Sequence, residues 1–330
     1  MNAIVLTGLD GANPLGFLAA LGALAAADAH EPGARLAWKN EGRWRPVLST
    51  NLTRDALIER LVADVRSWDG DPAIALTYAK AVKPGSKKEP SDAKLAQDLK
   101  PTPAKFREYI QGLIDRAGDG AAFLRGARRP LDYSSAFGTE IAVDGGGNVK
   151  PTHLHFTAGQ QEFLKAVLEL QDVAGGVTAA DLDEALFGPW RYERSLPVLG
   201  WDSSVSRDYA LRADDPSKNK KTGVPGADWL AFRGLAFVPV APVGDELQTA
   251  GCAGGWKSGG TFTWPLWSPP LSVAAVRSVM VLADIADLSA HARRARGVEV
   301  VMRSGIRRSD QGGYGSFMPP DVRAPGKRRG

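Results

Sequence analysis

The sequence predicts an α+β fold, with a mixed strand-helix N-terminal unit, a helical middle and a mixed strand-helix C-terminal part. Three observations predict it. The first 70 residues give strand, helix, two strands and helix in order. Signals for helix starts recur between residues 92 and 187. Short apolar runs and turns return after Trp190. The expected division is residues 1–80 for the N-terminal α+β unit and 81–190 for the mainly helical middle. Residues 191–305 form the C-terminal mixed part and 306–330 a basic, flexible tail. A chain of 330 residues suffices for one large domain or two. No internal repeat and no clear interdomain linker is visible.

The opening strand is Ile4-Val5-Leu6-Thr7, followed by a tight turn over residues 8–13. Asn13 is a good N-cap, and Pro14 suits the first helical position, where no backbone N–H is needed. The helix that follows carries Gly16, Gly22 and six alanines before Asp28. Its bulk is confined to Leu15, Phe17, Leu18, Leu21 and Leu24, so it must pack very close to a sheet or another helix. Residues 35–39 and 44–48 are strand-like, separated by the turn at Asn40-Glu41-Gly42. Thr53 caps a helix reaching Trp68, with Leu57, Ile58, Leu61, Val62 and Val65 on one face.

Residues 82–91 form a basic Pro/Gly/Ser loop. Helices are expected at about 92–99, 103–117 and 119–126. The second starts at the Thr102-Pro103 pair. Gly145-Gly146-Gly147-Asn148 is a break that leads into a strand over residues 153–156. Thr157 and Gln160 have the spacing of a capping box for a helix carrying Phe163, Leu164, Val167, Leu168 and Leu170. Thr178 starts a further helix that ends near Phe187-Gly188-Pro189. Residues 213–223 form a second basic loop. Apolar runs follow at 230–232 and 235–240, then a hairpin through residues 262–267. Ser272 caps a helix bearing Val276, Val279, Met280 and Leu282. Residues 298–302 are expected as the last strand.

The composition is that of an ordinary globular chain, 44% hydrophobic and 24% charged. No apolar run reaches the ~18 residues a membrane span needs. Met1-Asn2-Ala3 brings no basic segment of the secretory kind. One cysteine, Cys252, excludes an intramolecular disulfide and any multi-cysteine metal site. Cys252 fits a small strand residue better than a nucleophile. The expectation is a cytoplasmic protein. Net charge is only +4 but uneven. Residues 291–330 hold ten Arg/Lys against three Asp/Glu, a net of +7, which leaves about −3 on the first 290. Such a segment points to an anionic partner, nucleic acid before membrane.

No Walker A sequence, G-x-G-x-x-G after a strand, H-E-x-x-H or G-x-S-x-G occurs. His153 and His155 are the best catalytic lure. At i and i+2 on a strand they would face the same side and could share a metal. A pair of polar residues flanking core-facing Leu154 and Phe156 is the plainer explanation. The adjacent carboxylates Asp69/Asp71 and Asp181/Asp183 identify no catalytic set, and Asp181 suits the first turn of a helix. His30 and His291 fit surface positions near helix ends. No cofactor is expected.

Nine tryptophans occur, six of them from Trp190 onward. Packing is their commoner use, so at most one or two are assigned to base stacking. Three cation clusters are better nucleic-acid candidates. They are Lys83, Lys87 and Lys88; Lys218, Lys220 and Lys221; and Arg303, Arg307 and Arg308. Each suits phosphates without implying base readout, and each alone could be a solvated loop.

Several stretches carry a family resemblance. The opening Leu9-Asp10-Gly11-Ala12-Asn13-Pro14-Leu15-Gly16-Phe17-Leu18-Ala19-Ala20-Leu21-Gly22 resembles the N-terminal signature of the large-subunit-like proteins of type I-G (formerly I-U) CRISPR effector complexes. Residues 156–164, Leu186-Phe187-Gly188-Pro189-Trp190, Leu199-Gly200-Trp201-Asp202, residues 226–232 and Trp264-Pro265-Leu266-Trp267 fit the same pattern. The resemblance runs from about residue 6 to about residue 305. It implies a non-catalytic subunit of an RNA-guided antiviral defence complex that helps bind target DNA and recognise a protospacer-adjacent motif. Implied partners are the other effector subunits, guide RNA, target DNA and a recruited helicase-nuclease, with no membrane. The chain is shorter than many large subunits, which puts the full motif-reading role in doubt. Two rivals stay open: a metal-dependent nuclease or phosphodiesterase using His153 and His155, and a structural adaptor that binds protein only.

Overall fold

One helix organises the fold. It is α1 (Pro14–His30), and in the computed structural model 13 of its 17 residues are buried. The structure describes residues 1–80, 94–117, 128–157, 161–205, 222–256, 259–282, 285–309 and 314–325. Asn13 caps α1 by accepting from the Leu15 amide, with Pro14 at the first position, as the sequence predicts. Burial on every side explains the shortage of bulky residues. A half-exposed helix would show one apolar stripe, whereas this one is apolar all round.

A four-stranded antiparallel sheet covers one side of α1, in the order β1-β3-β2-β12. It comprises β1 (Asn2–Val5), β2 (Arg35–Asn40), β3 (Trp44–Thr50) and the short β12 (Leu271–Ser272). The hairpin β2–β3 turns at residues 40–44, where the sequence placed it. A second antiparallel sheet runs β10-β11-β13-β14, with β15 also on β13. Its strands are β10 (Cys252–Ala253), β11 (Gly260–Trp267), β13 (Val298–Arg308), β14 (Gly315–Phe317) and β15 (Asp321–Val322). Four residues after β11 the chain enters β12, so the two sheets meet around α1. Phe17 marks the junction. It stacks on Trp38 of the first sheet and packs against Phe262, Trp264 and Trp267 of the second. Trp264 donates to the Gly11 carbonyl and Trp267 to the Leu36 carbonyl.

Eight further α-helices are described, and those that pack closest on α1 lie on the side away from the first sheet. In order they are α2 (Arg54–Arg66), α3 (Pro103–Ala117), α4 (Arg128–Phe137), α5 (Phe163–Gln171), α6 (Ala179–Phe187), α7 (Pro225–Gly234), α8 (Val273–Met280) and α9 (Ala290–Arg294). Thr53, Thr178, Ser272 and Ser289 accept from the first-turn amides of α2, α6, α8 and α9. At α6 the box is reciprocal, because Asp181 reaches back to Thr178. The closest approach is between α1 and α7. A Cβ on Gly22 would lie 1.7 Å from the Leu230 carbonyl oxygen, and one on Gly234 would lie 2.2 Å from that of Leu18. Both glycines are therefore fixed by helix contact.

Several local expectations are corrected, and one lies outside the described residues. The helix expected at 92–99 is absent over its described part. Leu95–Ala96 forms β5 and pairs with β4 (Tyr78–Ala79), while β6 (Gly138–Val143) and β7 (Val149–Pro151) pair with each other. Long-range bonds hold this stretch extended: the Gln97 amide donates to Glu162, and Asp98 accepts from the Phe163 amide. The helix expected at 119–126 lies outside the described residues, and α4 follows where none was expected. Helix α5 starts at Phe163, six residues after Thr157, with Glu162 at its cap and no side-chain capping bond. Gln160 lies outside the described residues. The run 262–267 is not a hairpin in itself but one strand, β11, paired along its length with β13. The apolar runs at 230–240 fall in α7, a 3-10 turn (Leu235–Phe237) and the start of β8 (Val240–Val243), which pairs with β9 (Glu246–Thr249).

The C-terminal segment is also more structured than expected. Residues 303–308 extend β13 beyond the predicted end at Met302, and β14 and β15 pair with it. Arg293, almost fully buried, donates to the carbonyls of Arg323, Ala324 and Ala286, which ties residues 323–324 down. One contiguous apolar core runs from Leu6 to Phe317. Among the described residues no helix is long and apolar enough to cross a membrane.

Candidate nucleic-acid interface

Of the nine cations singled out by sequence, six lie outside the described residues. These are Lys83, Lys87, Lys88, Lys218, Lys220 and Lys221. Arg303, Arg307 and Arg308 lie on β13 and not on a loop. Side chains alternate along a strand, so Arg303, Gly305 and Arg307 share one face and Met302, Ser304, Ile306 and Arg308 the other. The first face is the solvent side of the sheet. Thr263 stands opposite Arg303, and Ser316 opposite Arg307. Arg303 makes an exposed ion pair with Asp321 at 3.3 Å, and Arg307 is exposed. The two guanidinium stems are about 13 Å apart along the strand. They place two guanidinium groups, one of them paired with Asp321, on the solvent face of a rigid element.

Arg308 faces the other way and is largely buried. Its Nε donates to the Trp256 carbonyl, Nη1 to that of His155 and Nη2 to that of His153, each at 2.9 Å. Its guanidinium lies 3.8 Å from the Trp256 ring centroid. Burial pulls its pKa down to about 10, so it remains charged at neutral pH. Among the described residues no carboxylate pairs with it.

Two of those bonds help explain why residues 153–156 are not the strand the sequence predicts. The segment is buried and irregular, so its polar backbone needs partners. Arg308 serves the carbonyls of His153 and His155, Trp201 Nε1 serves that of Leu154, and the Gly315 amide serves that of Phe156. Thr249 Oγ1 accepts from the His153 amide. Mostly side chains from distant elements replace a neighbouring strand.

Consequently His153 and His155 do not share one face. His153 Nδ1 bonds Thr249 Oγ1 at 2.9 Å, and its ring leans on Trp256 at 5.6 Å. Burial, with the positive charge of Arg308, lowers its pKa to about 4. His155 is buried elsewhere, with Nε2 donating to Asp98 Oδ1 at 2.7 Å. Burial would raise the Asp98 pKa. His155 and the amides of Leu99 and Phe163 outweigh it and hold the carboxyl at about 2. Full burial lowers the pKa of His155 itself. Among the described residues no group of three or more His, Cys, Asp or Glu converges. Cys252 is buried in β10, where burial pushes its thiol up.

Sequence reasoning missed two features. Asp98 lay in a presumed helix, and nothing local ties it to His155. A second buried network joins α2, α4 and α7. Arg233 Nε and Nη2 donate to both Asp64 oxygens at 2.8 and 3.0 Å, and Nη1 donates to Tyr133 Oη at 2.8 Å. An open depression of about 350 Å³ lies between α5 and residues 197–198, bordered by Glu162, Lys165, Glu169 and Tyr314. Its mixed charges single out no ligand. Comparison with protein-family models and with curated proteins finds no match to this chain.

Proposed function

We propose that this chain is a non-catalytic subunit of an RNA-guided, DNA-targeting defence complex of the type I-G kind. In this role it holds nucleic-acid backbones while base pairing with a guide reads the sequence. The observation that carries the reading is the pair of guanidinium groups, Arg303 and Arg307, on the solvent face of β13, within a 40-residue segment of net charge +7. Supporting it, the segments that resemble the family meet one another in space. Asn13 bonds Asp202 at 2.7 Å, Trp264 bonds the Gly11 carbonyl, and Gly22 contacts Leu230. They behave as one packing unit, as expected of an inherited scaffold whose partners supply the chemistry.

The test is binding of the purified chain to labelled double- and single-stranded DNA across a salt series. Affinity should fall steeply with salt, by an order of magnitude or more between about 50 and 200 mM if several phosphates are contacted. Changing Arg303 and Arg307 to Ala together, or Lys218, Lys220 and Lys221 to Ala together, should weaken binding and flatten the salt dependence. An effector complex that assembles and binds target DNA normally without this chain would sink the proposal.

A further inference from the structure

Eight of the nine tryptophans belong to the apolar core, as buried members or packed against it. Trp256 belongs to neither apolar cluster. It is half-buried, and its described ring contacts are a guanidinium and an imidazole. Arg308 is fixed beneath the ring by bonds to three carbonyls, one of them that of Trp256 itself. His153, fixed by Thr249, leans on the ring from beside. The chain just before Trp256 is Ala253, Gly254 and Gly255, all exposed and all without bulk. Gly254 has φ +83°, and a Cβ there would lie 2.1 Å from the Gly259 carbonyl oxygen, so the loop is pinched shut at its base. An indole outside the core is thus held rigid, with only small residues leading up to it.

We propose that Trp256 is a stacking site for one unpaired base of single-stranded nucleic acid, kept in place by Arg308 and His153. This rests on the nucleic-acid reading above. Stacking suits an indole pinned in advance, because little conformational entropy is lost on binding. The Arg308 charge, which no described carboxylate neutralises, favours the anionic backbone that accompanies the base. A duplex covers its base faces with neighbouring pairs, so the site selects unpaired strands.

The experiment compares labelled oligo-dT, an abasic strand of equal length and charge, and duplex DNA. Each is titrated against the full chain and against Trp256→Ala and Trp256→Phe. Stacking predicts that Trp256→Ala weakens oligo-dT binding about 5- to 150-fold, the range for one base-aromatic stack. Abasic and duplex affinities and the salt slope should stay unchanged, and Trp256→Phe should fall between. If both variants bind oligo-dT like the parent, the stacking site is wrong while the backbone-holding function stands. Equal losses on all three probes would mean a structural role for Trp256 and would also overturn the site. A parent chain that binds no strand at low salt would overturn both.

Discussion

At the residue scale, the decisive groups are those whose polar atoms are buried. Arg308 shows how a residue's role depends on its partners. As a sequence letter it is one more cation beside Arg307, but its donors go to two carbonyls of the irregular segment 153–156 and to that of Trp256. His153 reports the same environment through its pKa. The folded value, about 4, lies below the ordinary 6.5. The neutral ring therefore adds stability that is complete above pH 6.5 and is lost as pH falls through 4. Replacing His153 with Gln should flatten the dependence of unfolding free energy on pH between 6.5 and 4, as measured by denaturant titration. An unchanged slope would show that His153 is not held neutral. Asp98 acts in a separate window, between its ordinary value of 3.8 and about 2.

At the element scale, the α1–α7 pair shows what glycine is for. Gly22 is placed where the Leu230 carbonyl leaves no room, so Gly22→Ala must push two buried helices apart. Alanine is the better helix former, which alone would stabilise by about 1 kcal/mol. Overpacking should win, with a net loss of at least ~1–3 kcal/mol in chemical denaturation. A stabilised variant would refute the close contact. Helices with local caps were legible in sequence because the cap and its amides lie within four residues. The stretches at 92–99 and 153–156 were not. Their conformations are set by Glu162, Phe163, Arg308 and Trp201, which sit tens of residues away or more and leave no local periodicity.

At the scale of the whole molecule, one core joins N-terminal, middle and C-terminal segments. The Asp64–Arg233 pair, from α2 and α7, is almost fully buried, and Tyr133 from α4 completes it. Burial, opposed in part by Arg233, pushes the Tyr133 hydroxyl up to about 12. Asp64→Ala would leave a buried guanidinium without its carboxylate and should cost about 3–5 kcal/mol. Because the pair links distant segments, the loss should appear as a single cooperative unfolding transition at lower denaturant. Two separate transitions would mean that the segments fold independently.

By itself the sequence determined the α+β class, the order of elements over the first 70 residues, the caps of α1, α2, α6 and α8, and the skewed charge. These follow from local chemistry: spacing, capping side chains and turn residues. Only the tertiary structure decided which cations face solvent and which hold the chain together. It separated Arg303 and Arg307 from Arg308, and it parted His153 from His155. It also left Trp256 alone outside the core among the nine tryptophans. Those outcomes depend on which distant backbone groups need a partner when buried, and that requirement exists only once the chain has folded.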